Sequence, residues 1–436
     1  MLKLEHKKNS IRIKPGYIIA LGFAIVILIG AIILFLPFSQ NHNVDVSFVD
    51  ALFTSTSAVC VTGLIAVDSK DTFSVFGRVV LALLIQIGGL GVTSIGVGLM
   101  VFSGRKINLR QRNLVKEALN YGSFTGILAL VKAVLFMTLL FEGVGALLSF
   151  LVFSKDYPVG EAIGISVFHS IAAFNNSGFD ILGGMRNLIP YQNDILLNLT
   201  TCGLIIFGGL GFFAIREIVT IHNFKKFSLH TKIVITMTVF LLISGTIIIK
   251  CLENISWLGA FLTSTSARTA GFSTFPISEF SSAGLLIVMI LMFIGASPGS
   301  TGGGIKTTTC FTLVRAAISI TANRRCTAFR RTIPKDIIAK AFVIMILGLN
   351  VVILSTLLLC IGESNTDFLK ILFEVVSAFG TVGLSTGITP DLTDFSKLIL
   401  VVTMFIGRLG PLTIASLIIL GKQSQASYAE EMITIG

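Results

Sequence analysis

The chain has 436 residues, of which 53% are hydrophobic and only 13% are charged, a charged fraction about half that of an ordinary soluble domain. The apolar residues lie in long uninterrupted runs that no soluble core can bury, so the composition excludes a soluble globular protein, a disordered chain, a collagen and a coiled coil. The six cysteines lie far apart without a C-x-x-C pair, and they predict neither a zinc site nor a disulfide framework.

Eight stretches are candidates to cross a bilayer, since a spanning helix needs roughly 20 apolar residues. In chain order they are 17–38, 79–102, 127–153, 195–215, 233–249, 283–314, 341–361 and 398–420. The sixth is too long for one span and is interrupted by GASPGSTGGGIKTTT at 295–309, which cannot form an ordinary helix. The sequence therefore predicts an all-α integral membrane protein with eight transmembrane helices in contact with membrane lipid.

Lysine and arginine are distributed unevenly between the loops. The segments before the first span and after the second, fourth, sixth and eighth spans contain 22 of the 33 basic residues, whereas the alternate loops contain eight bases and 15 of the 22 acids. By the positive-inside rule, the basic segments and both termini lie in the cytoplasm. This topology accounts for the net charge of +11, so we expect a protein of the cytoplasmic membrane with no nucleic-acid partner.

Each acidic loop contains a semi-apolar stretch that is too short to span. The four stretches are FTSTSAVCVTGL (53–64), FHSIAAFNNSGF (168–179), FLTSTSARTAGF (261–272) and FEVVSAFGTVGL (373–384). In each of them a Phe precedes a Gly by ten residues. A second landmark follows in the next span each time, as IGGLG (87–91), FGGLG (207–211), IGASPG (294–299) and IGRLG (406–410). Two landmarks in the same order predict a fourfold pseudo-symmetric repeat of helix, re-entrant loop and helix around one axial pore.

The repeat predicts where the chain divides. We expect a basic cytoplasmic N-terminus at 1–16, repeat 1 at 17–102, a cytoplasmic linker at 103–126, repeat 2 at 127–221, repeat 3 at 222–320, repeat 4 at 321–422 and a cytoplasmic C-terminus at 423–436. Within the repeats, short half-helices are predicted at about 50–59, 164–173, 257–266 and 369–378. Their negative C-terminal dipole ends would point at the axis and favour a cation there.

The four re-entrant loops are the predicted selectivity filter. Non-helical backbone at membrane depth is tolerated only where it is buried in protein or lines a water-filled cavity. Glycine permits the backbone angles that turn carbonyl oxygens inward, and rows of carbonyls can replace the hydration shell of a monovalent cation. The predicted filter residues are Cys60, Val61, Thr62, Gly63, Asn175, Asn176, Ser177, Gly178, Arg268, Thr269, Ala270, Gly271, Gly380, Thr381, Val382 and Gly383.

This pattern, with glycines at 63, 178, 271 and 383, resembles the Trk/Ktr/HKT superfamily of potassium transporters from about residue 17 to 422. It is most similar to the KtrB-type membrane subunit of bacterial Ktr systems, because eight spans are present without the extra N-terminal helices of Trk subunits. In this family, glycine at all four positions implies a preference for potassium over sodium. Only GTVGL (380–384) approaches the TVGYG filter of potassium channels, which implies a looser selectivity than that of a channel.

The resemblance also implies ions and partners. Potassium is the expected substrate and sodium the coupling or activating ion, with no other metal and no cofactor in this chain. The expected partners are a second copy in a homodimer and a cytosolic nucleotide- and NAD-binding ring of the KtrA type. The chain has no G-x-G-x-x-G unit, so nucleotide control would come from that separate subunit. The basic loops at 105–116 and 324–340 are candidate docking surfaces.

The interrupted sixth span is the predicted gate, because by resemblance it is the intramembrane loop beneath the filter; a static kink is the alternative. Its residues are Ser297, Pro298, Gly299, Ser300, Thr301, Gly302, Gly303, Gly304 and Lys306. Arg408 is assigned to the gate as well, since a charge in mid-span is usually functional. It either faces the pore as an electrostatic barrier or holds the insert through a salt bridge or carbonyl contacts.

Four other charged side chains lie in or beside apolar stretches. Arg268 is expected to support its hairpin from behind, and Asp180 to make the second hairpin more polar. Lys132 and Glu142 lie in the third span and are assigned no role in the pore.

Two other functions are compatible with parts of the sequence. A secondary transporter with an alternating-access site predicts inverted repeats, whereas these four have one orientation. A membrane-embedded hydrolase would use Ser297, since GASPG (295–299) fits G-x-S-x-G, but no strand precedes it and no convincing base is present. GSTGGGIKT (299–307) resembles a P-loop, but Lys306 comes one position too late. We therefore expect no enzyme activity.

Overall fold

The computed structural model describes residues 15–42, 44–102, 114, 127–418 and 431. In chain order the helices are α1 (Pro15–Phe35), α2 (Phe48–Val59), α3 (Ser69–Thr72), α4 (Val75–Leu90), α5 (Val92–Phe102), α6 (Ile127–Phe153), α7 (Val159–Phe174), α8 (Ile195–Leu210), α9 (Phe212–Ile221), α10 (Leu229–Leu252), α11 (Trp257–Ser266), α12 (Ser282–Phe293), α13 (Thr307–Thr321), α14 (Lys335–Gly362), α15 (Phe368–Gly380), α16 (Asp394–Leu409) and α17 (Pro411–Ile418). Single 3-10 turns lie at Pro37–Ser39, Ile189–Tyr191, Phe224–Lys226, Ile277–Glu279 and Thr389–Asp391. Strands β1 (Thr327–Ala328) and β2 (Arg331–Thr332) form an antiparallel hairpin. The chain is thus mostly helical, as its composition predicts.

Helices α1, α6, α10 and α14 contain the long apolar spans. Among the described residues, four single helices are long and apolar enough to cross a membrane, and α8 with α9 makes a fifth if that bent pair counts as one span. Large apolar side chains on the long helices face outward and are exposed, including Leu21, Phe136, Leu147 and Ile353. Apolar surface of this extent is stable in lipid rather than in water.

Helices α2, α7, α11 and α15 are shorter, with 12, 16, 10 and 13 residues. At about 1.5 Å per residue they are roughly 15–24 Å long, less than the hydrocarbon thickness of about 30 Å. Three of them begin at a capping side chain. Ser47, Ser256 and Asp367 each accept a hydrogen bond from a backbone N–H of the first turn. Each short helix packs against the long helix before it, and none of the four is long enough to cross the apolar layer alone.

Three spans that were predicted to be continuous are each divided into two helices. The predicted ranges were 79–102, 195–215 and 398–420. The divisions lie at Gly91, Gly211 and Gly410, whose φ angles are 81°, 88° and 88°, and α8 and α9 meet there at 97°. A positive φ lies outside the right-handed helical region, so the helix stops. A single continuous helix was therefore the wrong expectation for each range, because one glycine inside an apolar run looks like an ordinary helix-packing glycine. The number of spans stays a prediction.

The last part of the chain packs against the first. Helix α16 lies against α2, and Lys397 Nζ donates to Asp50 Oδ1 at 2.8 Å across this contact. The two side chains are only 8% and 17% exposed. A charge pair with this little solvent screening is costly to break on one side, because the remaining charge is left without a partner.

Lys397→Met should therefore destabilise the protein. We expect a loss of about 1–3 kcal/mol in the free energy of unfolding, measured as a lower melting temperature of the detergent-solubilised protein. Asp50→Asn combined with Lys397→Met should recover most of the loss, because no charge is then left alone. Lys370→Met is the control, since Lys370 forms no ion pair among the described residues. A double variant no more stable than the single variant would contradict this role of the pair.

Candidate ion pathway

Four segments that follow the short helices meet at their glycines. We call residues 60–63, 175–178, 268–271 and 380–383 the first to fourth glycine segments. A Cβ atom on Gly63 would lie 2.1 Å from the carbonyl oxygen of Ser177, so the first segment touches the backbone of the second. The other three contacts are of the same kind: Gly178 with Ala270 at 2.7 Å, Gly271 with Val382 at 2.5 Å, and Gly383 with Thr62 at 2.1 Å. The fourth segment thus returns to the first, and the four glycines close a ring.

The backbone of each segment is left-handed at two places. The φ angles of Gly63, Gly178, Gly271 and Gly383 are 87°, 70°, 77° and 92°. Two residues earlier, Val61, Asn176, Thr269 and Thr381 have φ between 50° and 74°. Glycine adopts such angles without steric cost, whereas β-branched residues are strained there. The segments therefore hold an unusual backbone that the surrounding contacts maintain.

Backbone N–H groups of the segments bind back to the short helices. Thr62 N donates to the Ser57 carbonyl at 2.7 Å, and Gly63 N donates to Ser57 Oγ at 3.0 Å. The fourth segment makes the same two bonds to Ser377, at 2.9 and 3.1 Å. Because N–H and C=O of a planar trans peptide point in opposite directions, the carbonyl oxygens of these peptides point away from the short helices.

A cavity of about 230 Å³ opens on the ring and is lined by all four of its glycines. We call it the glycine cavity; Asp180, Asn187 and Ser385 also line it. Burial raises the pKa of the Asp180 carboxyl to about 6. This residue lies in a loop outside the helices, and at neutral pH its carboxylate gives the cavity a negative charge that attracts cations.

Residues 294–306 separate α12 from α13 and pack directly against the glycine segments. We call them the loop. A Cβ atom on Gly302 would lie 2.0 Å from Thr269 Oγ1, and one on Gly303 would lie 2.3 Å from Thr381 Oγ1. Thr301 Oγ1 donates to the last carbonyl of α7 at 3.2 Å. The loop therefore contacts the second, third and fourth segments or their helices at once.

Hydrogen bonds hold the loop in this position. Lys306 Nζ donates to the carbonyls of Gly302 at 2.6 Å and Gly303 at 3.3 Å. Gly295 N donates to the Ile305 carbonyl at 2.8 Å and closes the neck of the loop. The predicted gate residues that lie in the loop are Ser297, Pro298, Gly299, Ser300, Thr301, Gly302, Gly303, Gly304 and Lys306.

Arg408 connects the loop to α4. Its guanidinium donates to the carbonyls of Thr301, Gly88 and Gly89. It also lines, together with Lys306, a second cavity of about 480 Å³ beside the loop, which we call the loop cavity. Of the two alternatives for Arg408, the geometry favours carbonyl contacts that hold the insert, and no carboxylate pairs with it in the described part of the chain.

Ser297 has no catalytic partner among the described residues. Its backbone N–H donates to the Gly209 carbonyl at 3.1 Å, and its Oγ lies 3.0 Å from Thr307 Oγ1. The side chain is fully buried. A hydroxyl paired with another hydroxyl, without a His or carboxylate to take its proton, is not an activated nucleophile.

Two predicted filter residues direct their side chains away from the ring. Arg268 reaches behind its segment to α10, where it donates to Thr238 Oγ1 at 3.4 Å and to the Thr238 carbonyl at 3.5 Å. Asn175 turns towards α4 and α6. Only the backbone of these two residues belongs to the ring.

Two supporting residues were missed in the sequence. Glu374 of α15 is fully buried, accepts from Ser385 Oγ and Thr386 N at 2.7 and 2.8 Å, and so fixes the chain that leaves the fourth segment. A single carboxylate inside an apolar stretch was a usable signal. Asn187 Nδ2 donates to the Gly178 carbonyl at 3.3 Å, and its Oδ1 accepts from Ser273 N at 3.0 Å. Nothing in its sequence context marked it.

Comparison with known proteins identifies relatives over the full length. A family model described as TrkH, cation transport protein, matches residues 1–257 and 219–428. The Ktr system potassium uptake protein B of Bacillus subtilis is 38% identical over 439 residues, which are 98% of each chain. The potassium/sodium uptake protein NtpJ of Enterococcus hirae is 36% identical over 453 residues and 100% of each chain.

The fold also matches a solved structure, that of the potassium transporter TrkH from Vibrio parahaemolyticus. The TM-score is 0.75 at 19% sequence identity, over 95% of this chain and 86% of the other. Since the family model and full-length relatives agree with the apolar helices described above, this chain belongs to the TrkH family of cation transport proteins and is a multi-pass membrane transporter rather than an enzyme.

Proposed function

We propose that this chain is the membrane subunit of a potassium uptake system in a bacterial cytoplasmic membrane, and that its four glycine segments form the ion filter. The observation that carries the proposal is the closed ring in which each glycine touches the next segment. Potassium would leave its hydration shell and be bound by backbone carbonyls of the ring. The name of the Bacillus subtilis relative, a potassium uptake protein, supports this choice of ion.

Electrostatics support a cation at the ring. Helices α2, α7, α11 and α15 end at the glycine segments, so the negative ends of their dipoles face it. The Asp180 carboxylate adds charge at the glycine cavity. The membrane potential would supply part of the driving force, about 2.3 kcal/mol per charge per 100 mV.

The loop is the proposed gate. It occupies the space beside Thr269 and Thr381, so an ion leaving the ring on this side needs the loop to move. Arg408 and Lys306 line the loop cavity and would oppose a cation there while the loop stays in place. Since Arg408 binds both the loop and α4, its release would free the loop and remove the positive charge from the pathway together.

The assembly and topology belong to the same proposal. It has eight spans in four repeats at 17–102, 127–221, 222–320 and 321–422, with both termini in the cytoplasm. The name NtpJ, a potassium/sodium uptake protein, supports a role for sodium. The words "Ktr system" in a relative's name support partner subunits, which we propose to be a second copy and a cytosolic nucleotide- and NAD-binding ring.

One of the two candidate docking loops can be described. The basic loop at 324–340 contains the hairpin of β1 and β2, with Arg330 exposed at its turn and Arg331 exposed in β2. The other candidate, 105–116, lies outside the described residues except for position 114, as do most of the linker at 103–126 and the terminal segments 1–14 and 419–436 apart from position 431.

Serine at Gly271 or Gly383 tests the filter. A Cβ there would meet a backbone oxygen at 2.5 or 2.1 Å, so the segment must shift. We expect the preference for potassium over sodium to fall about tenfold or more, equivalent to about 1.4 kcal/mol. The measurement is sodium inhibition of rubidium uptake in a bacterium that lacks its own potassium importers.

The matched control is Gly164→Ser on α7, where a Cβ meets nothing within 4 Å. This variant should keep the wild-type preference. If Gly271→Ser and Gly383→Ser both behave like Gly164→Ser while uptake persists, the ion does not pass the ring and the filter proposal is wrong.

Arg408 variants test the gate. Arg408→Ala removes the bonds to Thr301, Gly88 and Gly89 together with the charge, and Arg408→Lys keeps the charge but loses most of the bonds. If the bonds hold the loop shut, the maximal rate of rubidium uptake rises severalfold in both variants, while the preference for potassium over sodium is unchanged. A rise in the alanine variant alone would show that the charge, rather than the hydrogen bonds, forms the barrier.

Uptake should also depend on external pH through Asp180. Since its pKa is raised to about 6, the carboxylate is charged above this pH and becomes neutral below it. We expect rubidium uptake at limiting rubidium to fall severalfold as the external pH is lowered from about 7 to about 5. Asp180→Asn should give the low rate at both pH values. Asp394→Asn, which alters an exposed carboxylate, is the control and should keep the pH response.

A further inference from the structure

A buried carboxylate behind the second glycine segment has no role in the pathway described so far. Glu142 lies on the long helix α6 and is 8% exposed. Its Oε1 accepts from Asn175 Nδ2 at 3.0 Å, and its Oε2 accepts from Gln86 Nε2 at 3.3 Å. Gln86 Oε1 in turn accepts from Asn175 Nδ2 at 2.8 Å. The three side chains join α6, α4 and the second segment in one polar cluster.

Asn175 is the link between this cluster and the ring. It is fully buried, it caps the C-terminus of α7, and it directly precedes the left-handed Asn176. Two residues after it, the carbonyl of Ser177 is the one that Gly63 touches. A change in how Asn175 is held therefore moves the backbone that forms the second side of the ring.

The matching position on the long helix is apolar in the first and third repeats. Ser55, Ser170 and Ser264 each donate a hydroxyl hydrogen bond to the long helix before them, to the carbonyls of Ile27, Glu142 and Leu242. Glu142 on the second long helix therefore takes the same place as Ile27 on the first and Leu242 on the third. At the segment itself, the residue three positions before the glycine is Cys60, Asn175, Arg268 or Gly380. Among these repeats, only the second has a glutamate on the long helix that faces an asparagine in its glycine segment.

A carboxylate in an apolar layer is expensive and persists where it has a function or a full set of partners. Here its partners are the amides of Gln86 and Asn175, which also bond to each other. Arg268 offers a parallel, because it also reaches from its segment to its own long helix. The second and third segments are therefore each held by a polar tie, and only the tie of the second includes a carboxylate.

We propose that Glu142, together with Gln86, is a positioning residue for the second glycine segment and that it sets the preference of the transporter for potassium over sodium. This inference rests on the proposed filter function of the ring. Glu142 holds Asn175, Asn175 holds the end of α7, and the carbonyls of the segment keep the spacing that suits the larger ion. Without the tie the segment relaxes, and the smaller ion is bound relatively better.

Replacement of Glu142 tests the proposal, with sodium inhibition of rubidium uptake as the measurement, corrected for the amount of protein in the membrane. Glu142→Leu removes both acceptors and should increase sodium sensitivity about five- to tenfold. Glu142→Gln keeps one acceptor for Asn175 and should give a smaller increase. Thr138→Val is the control, because Thr138 lies one turn away on α6, is 1% exposed and has no hydrogen-bond partner among the described residues.

Exchanging the acid and the amide between positions 142 and 175 distinguishes a positioning role of Glu142 from a role in folding alone. Asn175→Asp places a carboxylate against Glu142 and should lose most of the preference for potassium. Combining it with Glu142→Gln restores one donor and one acceptor, so the double variant should regain selectivity. If the Glu142→Leu protein is absent from the membrane, the sodium sensitivity of Glu142→Gln and of the double variant still tests the role of Glu142.

Two results would overturn the inference: sodium sensitivity in the Glu142 variants equal to that of Thr138→Val, or a double variant no better than Asn175→Asp. In either case Gly271→Ser and Gly383→Ser show which claim has failed. If they still relax selectivity, only the role of Glu142 is wrong; if they do not, the filter proposal fails first.

Discussion

The close contact of glycine with backbone is the constraint on which the structure depends. At Gly63, Gly178, Gly271 and Gly383 the next segment lies where a side chain would begin. Four such contacts in a cycle require every segment to arrive at the same depth with the same left-handed turn. The rest of the chain holds the four glycine segments together in this arrangement.

The short helices meet this requirement by ending early. Their final turns bind the N–H groups of the segments, so the carbonyls are turned away from the helices. The long helices behind them supply apolar outer faces and a packing surface. Hydrogen bonds from polar side chains then fix the backbone next to the segments. Glu374 does so after the fourth segment, and Asn187 connects the second segment to Ser273.

One turn of α4 connects the ring to the loop. A Cβ on Gly88 would lie 2.0 Å from the Val59 carbonyl at the end of α2, and one on Gly89 would lie 2.0 Å from Asn175 Oδ1. The carbonyls of the same two glycines accept from Arg408. A movement of Arg408 would therefore act on a surface that also supports the first and second segments.

The sequence predicted the parts of this arrangement that depend on a repeated pattern. The four glycines and the short stretches before them recur at matched spacing, and the insert stands out against the apolar runs by its composition. The divisions at Gly91, Gly211 and Gly410 could not, because a single glycine within an apolar helix has more than one use. Nor could the cluster of Glu142, Gln86 and Asn175, since its members are far apart in the chain and meet only through the packing of α4, α6 and α7.

The most direct test of the account is to locate the ion. Crystals grown with rubidium in place of potassium should show an anomalous difference peak on the axis of the ring, within about 3 Å of several carbonyl oxygens of the glycine segments. The peak should disappear in crystals of Gly383→Ser. A strong rubidium peak at another place in the protein, with none at the ring, would contradict the central claim.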